Sequence, residues 1–324
     1  VARPNPTGGR RRAGLLLALL IGLGPVGPGL AAEAIVTAQG DNRVDVVDLD
    51  TDTVLAGIPV PGSPAGIALS PDRRTAYVTR PDGPGLAVID LARRAVTSMV
   101  DLPGGPLGIG VNPKTGAVYA ADWYAKRVFV LVPEAGGLAR DGEIATGASP
   151  SGIAVTPDGR TLLVANREGN SVSVIDADTR RQRQIIPVGE HPFGLTLDPD
   201  GRRAYTANVI SNDVSVIDLA EGREIARVPA GERPYVVALA GGRGFVTNQY
   251  AGTVSVFDRA TLKPVATIEV GDHPEGIAAS PDGTRLYVAN WGSNTLSVID
   301  AATLGILREI KVADGPRAFG DFLR

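Results

Sequence analysis

Two histidines, two tryptophans and a few charged residues carry most of the chemistry open to this 324-residue chain. His191 and His273 each stand immediately before a proline. Phe193, Tyr235, Glu275 and Arg317 each stand immediately after one. Trp123, Tyr124, Tyr250 and Trp291 each follow a short run rich in β-branched and small residues. Imidazoles beside a carboxylate, here His191 and His273 with Glu275, could move a proton during hydrolysis. Glu275 and Arg317 could pair with each other, or the guanidinium could grip a carboxylate or phosphate with two parallel hydrogen bonds. Aromatic rings among arginines and lysines could stack a base or dock a protein.

Other chemistries lack their residues. The chain has no cysteine, which excludes disulfides, thiolate metal sites and cysteine nucleophiles. Two histidines cannot build a multi-histidine copper or di-iron centre. Asp48, Asp50 and Asp52 alternate, but the glycine and distal glutamate of a helix-loop-helix calcium site are missing, so they read as a solvated turn. There is no Gly-x-Ser-x-Gly elbow and no glycine loop that could cradle phosphate ahead of a helix. A calcium lactonase needs several acidic and amide ligands converging in one channel, and Glu275 is the one acid among the mouth positions defined below. No catalytic residue, metal ligand or cofactor is assigned from the sequence.

The prolines are the frame for these residues. Pro64, Pro106, Pro150, Pro192, Pro234, Pro274 and Pro316 recur at intervals of 42, 44, 42, 42, 40 and 42 residues, and a fixed period of this length marks a repeat architecture. Each repeat holds four strand signals. One follows the proline and ends at a turn such as Pro157-Asp-Gly159, where proline fixes φ and glycine accepts a positive one. The second is a run such as Tyr205-Thr-Ala-Asn208, the third alternates strictly as in Val214-Ser-Val-Ile-Asp218, and the fourth resembles Val265-Ala-Thr-Ile-Glu-Val270. Four antiparallel strands per repeat make a propeller blade. Residues 34–60 supply only second, third and fourth strands, and residues 316–322 supply only a first. The chain is therefore expected to be all-β, a seven-bladed β-propeller with four-stranded antiparallel blades, its ring closed by pairing the N- and C-terminal segments. The repeat from Pro106 departs with a longer outer hairpin around Val132–Leu138, and the repeat from Pro234 replaces the turn with Gly241-Gly-Arg-Gly244.

Tyr77-Val-Thr79, Phe245-Val-Thr-Asn248, Tyr287-Val-Ala-Asn290 and the closing Gly315-Pro-Arg-Ala-Phe-Gly320 resemble the YVTN-type β-propeller repeat family, including periplasmic YncE-like proteins, across residues 34–324. The resemblance implies the fold. Members include binding proteins and partners of quinoprotein systems, and more distant propellers include lactonases and electron-transfer subunits.

The first 34 residues differ in kind. Arg10-Arg-Arg12, an apolar run from Ala13 to Leu23 and Leu30-Ala-Ala-Glu-Ala34 describe a secretory signal peptide, cut after Ala32 or Ala34. Twin-arginine and general secretory export both fit, and the localisation expected is periplasmic or secreted. The apolar run is too short to span a bilayer, so no membrane span is expected after its removal. Losing residues 1–32 takes four arginines and no acid, shifting the formal net charge from −3 to −7. That balance disfavours binding to a phosphate backbone.

Strand order sends the loop into each first strand and the loop between second and third strands to one rim, the top. Tyr77, Tyr119, Tyr205, Phe245 and Tyr287 fall on the second strand and Phe129 and Phe257 on the third, as inter-blade core. Trp123, Tyr124, His191, Phe193, Tyr235, Tyr250, His273, Glu275, Trp291 and Arg317 all fall at the top. The residues after the prolines, Ala65, Leu107, Ser151, Phe193, Tyr235, Glu275 and Arg317, are expected to face the channel mouth. Asn166, Asn208, Asn248 and Asn290, ending second strands, read as turn residues bonding to nearby backbone. The expectation is an exported binding or scaffold protein whose top face meets a small molecule or a periplasmic protein. The alternatives are a hydrolase or lactone-opening enzyme using Glu275, His273 and His191, an accessory subunit of a periplasmic quinoprotein-type oxidoreductase, and single-stranded nucleic-acid binding.

Overall fold

The computed structural model describes residues 1–3 and 32–324. The chain divides into two units, residues 1–30 and 31–324. Residues 4–31, most of the expected leader, lie outside the described residues. Among the described residues no helix is long and apolar enough to cross a membrane.

Residues 32–324 are the seven-bladed propeller. Blade 1 spans residues 66–100, blades 2 to 6 follow in order, and blade 7 combines residues 33–59 with the C-terminal segment. Each blade is a meander that runs from an inner strand at the channel to an outer strand at the surface. The alternating third strands put one apolar set toward each neighbouring blade. Tyr205 of blade 4 thus meets Phe257 of blade 5 with ring centroids 5.9 Å apart. All seven aromatics placed in the core by their repeat position are buried. The outer strands alternate between solvent and blade, as in Ala95–Val100. The longer hairpin expected in blade 2 is formed by Arg127–Glu134 and Gly137–Ala145.

Three small devices, each repeated, lock blade to blade. The third residue of the Pro-x-Gly sequence is glycine because the neighbouring backbone occupies the place of its side chain. A Cβ on Gly108 would come within 1.6 Å of the Ser151 carbonyl oxygen, and one on Gly152 within 2.3 Å of that of Phe193. The threonines of the second strands reach the next blade. Thr37 Oγ1 donates to the Ala65 carbonyl at 2.8 Å, Thr79 to that of Leu107 at 2.8 Å and Thr247 to that of Glu275 at 2.7 Å. Asparagines before the third strand clasp the next top loop. Asn42, Asn170, Asn212 and Asn294 accept, at 2.9–3.0 Å, the N–H groups of Ser63, His191, Arg233 and Gly315. These four receiving residues all have positive φ.

The asparagines ending the second strands depart from the sequence reading. Asn166, Asn208, Asn248 and Asn290 are fully buried. Asn166 Nδ2 donates to the hydroxyls of Ser171 and Ser173 at 3.1 and 2.9 Å, and Asn248 and Asn290 make the same pair of bonds to Thr and Ser. They staple second strand to third inside the blade.

The ends of the propeller close the ring. Glu33 N–H donates to the Arg324 carbonyl and Arg324 N–H to that of Glu33, both at 2.9 Å, Ile35 N–H donates to that of Phe322 at 2.8 Å, and Arg317 N–H to that of Thr37 at 2.8 Å. The buried Glu33 carboxylate pairs with Arg324 at 2.5 Å. The closing segment does more than complete blade 7. Phe319–Gly320 also pairs in parallel with Gly66–Leu69, the inner strand of blade 1, so one short strand joins first blade to last.

Candidate functional site

The top face resolves into separate groups. Deepest is a plug. Ala65, Leu107, Ser151, Phe193 and Glu275, expected to face an open mouth, are buried. Ser151 Oγ, for example, donates to the Pro192 carbonyl at 3.0 Å. Ser151 and Glu275 turn toward the next blade, whereas Leu107 and Phe193 border the space above, and Phe319 of the closing segment lies beneath, 4.7 Å centroid to centroid from Phe193.

Above the plug lies a cavity of about 270 Å³ walled by Leu107, Trp123, Tyr124, Phe193 and Tyr235, with Arg167, Asp82 and Arg317 at its edges. The Trp123 ring stands edge-on to Phe193 at 6.0 Å, and the Tyr235 ring leans on Phe193 at 4.6 Å. Arg167 lies over the Trp123 ring at 5.3 Å, a cation–π contact. Tyr124 covers Gly105 and is mostly exposed.

Arg317 is the charged group that enters this cavity from its buried side. Its Nε donates to Glu275 Oε2 at 2.5 Å, and Gln249 Nε2 donates to Glu275 Oε1 at 2.6 Å. Both carboxylate oxygens are thus engaged, and Glu275 orients the guanidinium. Burial pulls the guanidinium pKa down, but the Glu275 carboxylate outweighs it and the net shift is upward, so Arg317 stays charged. Burial, then the Glu275 charge, raises the Tyr235 phenol above its usual range. It remains a neutral hydrogen-bonding group at physiological pH.

The remaining sequence candidates lie elsewhere. His273 sits between Tyr250 and Trp291, with ring centroids 6.0 Å from each and the rings nearly perpendicular. Arg233 lies over Tyr250 at 5.4 Å. His191 places Nε2 3.6 Å from Glu168 Oε2, while its Nδ1 is buried with no partner. The acid–base trio of Glu275, His273 and His191 is therefore not assembled: each faces a different partner. Among the described residues no three metal-ligating side chains gather. Asp48 accepts the Asp50 and Thr51 N–H groups at 2.9 and 2.8 Å, closing a turn.

A larger cavity lies on the other side of the plug. The lower channel, about 630 Å³, runs from Phe319 to the bottom turns. Arg73 Nη1 donates to both Asp321 oxygens at 2.7 Å and to the Leu323 carbonyl at 2.8 Å. Surrounding protein raises the Asp321 carboxyl pKa more than Arg73 lowers it, although its side chain still faces channel space. Sequence reasoning missed Gln249, Arg73 and Asp321. One signal was available for Arg73: it occupies the place of glycine in a Pro-Asp-Gly turn and keeps the positive φ, 59°.

A ring of seven four-stranded blades around a plugged channel, with an arginine in an aromatic cavity above the plug, defines a seven-bladed β-propeller with a candidate small-molecule site at its top. Residues 134–230 match the model of the family described as lactonase, 7-bladed beta-propeller. No curated protein matches the chain. Solved structures share its fold. A Kuenenia stuttgartiensis hydrazine synthase is 23% identical, with 82% of this chain and 91% of that chain covered and a TM-score of 0.72. A functionally unknown protein from Desulfotomaculum acetoxidans is 19% identical, covering 89% and 99% with a TM-score of 0.75. A candidate 6-phosphogluconolactonase from Bacteroides fragilis is 18% identical, covering 92% and 99% with a TM-score of 0.75.

Proposed function

We propose that this protein is an exported binding protein whose top cavity takes a small anion with a flat or apolar body. The observation that carries this reading is Arg317. Its Nε is fixed by Glu275, its terminal nitrogens have no protein acceptor among the described residues, and aromatic walls surround it. A carboxylate or phosphate would accept from the guanidinium, and its remaining atoms would pack on Trp123, Phe193 and Tyr235. The leader-like residues 1–34 support export, and the threonine staples of Thr79 and Thr247 give a physical role to the threonine of a YVTN-type repeat. Titration calorimetry with sugar acids, sugar phosphates and aromatic carboxylates tests the reading. Saturable binding that is lost in Arg317→Met supports it, and binding unchanged by that substitution refutes it.

A second reading is lactone opening, favoured by the family match over residues 134–230 and by the likeness to a candidate 6-phosphogluconolactonase. The same Arg317 would then orient an anionic lactone. Following acid release from 6-phosphogluconolactone in a pH-stat separates the two: hydrolysis above the spontaneous rate, lost in Arg317→Met, selects the enzyme.

A further inference from the structure

The geometry points to a second binding site, in the lower channel, that takes a short extended peptide by backbone pairing. It lies on the far side of the Phe193–Phe319 plug and is independent of the top cavity.

The wall of this channel is made of strand edges. Pro106–Val111, Pro150–Val155, Pro192–Leu197, Pro234–Ala240 and Pro274–Ala279 are each the last strand of their sheet, with a ladder on one side only. Consecutive residues of these strands line the space, such as Ile109, Gly110 and Val111. Side chains alternate along a strand, so a run of consecutive lining residues means that the backbone edge is presented. Such an edge carries N–H and C=O groups at strand spacing, a template for another extended segment, although the upper carbonyls bond to the neighbouring blade and that of Val237 accepts from Thr196 Oγ1 at 2.6 Å.

One such edge is already used this way. Phe319–Gly320 lies against Gly66–Leu69 in parallel register, Phe319 opposite Gly66 and Gly320 opposite Ile67, and Asp321 N–H donates to the Ile67 carbonyl at 3.1 Å. An extended segment thus already pairs with an inner strand in this channel.

The ligand class follows from the mixed wall. Val155, Leu197, Leu239 and Ala279 are partly exposed at its lower end, so apolar side chains would be favoured. A purely aliphatic ligand would leave the edge N–H and C=O groups without partners, each at a free-energy cost. A peptide satisfies both demands, as in other cases where a strand is added to a sheet edge. The Arg73–Asp321 pair at the rim is closed on itself, so no net charge is asked of the ligand. At about 3.3 Å per residue, three or four residues span the lower half of an inner strand.

The test is calorimetry of the full chain with acetyl-Val-Ile-Val-amide. Saturable one-to-one binding is expected, at least about tenfold weaker for the same peptide N-methylated at two amides. Ala279→Trp, which fills the channel, should abolish it. Ala154→Phe does the same from blade 3 should the first variant fail to fold. Arg317→Met should leave peptide binding intact, which separates this site from the top cavity. The proposal is overturned by no saturation at millimolar peptide, by equal binding to a folded plugged variant, by equal binding of the N-methylated peptide, or by hexanoate competing as well as the peptide.

Discussion

Phe193 and Phe319 come from blades 4 and 7 and meet with ring centroids 4.7 Å apart and planes inclined at 33°. One ring borders the top cavity and the other borders the lower channel. This contact, with the buried Ala65 and Leu107 beside it, divides the axis of the propeller into two compartments.

Phe319→Ala should merge them. The ring is buried against the plug, and its loss should cost about 3–5 kcal/mol, the usual range for truncating a buried phenylalanine. Trp123 would then be open to solvent from below. In a Trp291→Phe background, quenching of the remaining tryptophan by iodide should rise, with a lower urea midpoint. Unchanged quenching in a folded protein would contradict the partition.

The Glu275–Arg317 pair separates stability from recognition. The two side chains are 5% and 16% exposed, so removing either one strands a buried charge and should cost about 3–5 kcal/mol. Glu275→Met with Arg317→Met should recover most of that loss, because neither charge remains. Anion binding should stay absent in the double variant. Urea melts and calorimetry on the same samples make the comparison.

Deleting residues 314–324 should open the ring and leave two strand edges uncovered, at Gly66–Leu69 and at Glu33–Ala38. Aggregation or a sharply lower Tm is expected, and a soluble truncated monomer with the full-length Tm would refute closure by the ends. The same contacts bear on the proposed leader boundary. Cleavage after Ala34 would discard the Glu33 carboxylate and backbone that bind Arg324, so, if the leader is removed as proposed, mass spectrometry of the processed protein should find Glu33 first.

The bottom turns set the response to acid. The Thr179 N–H and the Arg183 guanidinium hold Asp176 down to about 2, and the Ser280 hydroxyl and Thr284 N–H do the same for Asp282. A carboxyl depressed in the folded state contributes stability that is full above its unfolded pKa of about 4 and is lost as pH falls through its folded value. Tm should therefore drop between about pH 4 and pH 2. Asp282→Asn should lower Tm at pH 7 and leave it unchanged near pH 2; an equal drop at both would show that the charge is not involved.

Blade number and strand order were legible because the repeat is written seven times with small variation, the inter-blade aromatics because five of the repeats place Tyr or Phe at one second-strand position, and closure because the two ends spell complementary parts of one repeat. The site was legible only in part. Tyr235 and Arg317 were found because the position after each proline was expected to face the channel mouth and carries a different residue in every repeat. The split of the top aromatics into Trp123–Phe193–Tyr235 and Tyr250–His273–Trp291 was not, because it depends on which way rings turn in loops of similar spelling. The parallel pairing of Phe319 was hidden for another reason: two residues carry no period. The burial of Ser151 and Glu275 was hidden too, since a position facing the axis and a position facing the next blade differ by a rotation that the sequence does not record.

The asparagine clasps at Ser63, His191, Arg233 and Gly315 carry a wider consequence. Each fixes a backbone amide without contacting the attached side chain, and the chain uses four different residues there, all at positive φ, without changing the backbone path. The top rim behaves as a display surface, in which the frame and the lettering are set independently. Substitutions at these positions, other than the β-branched residues that a positive φ disfavours, should leave the seven-fold scaffold alone, which makes them natural positions for a randomised library.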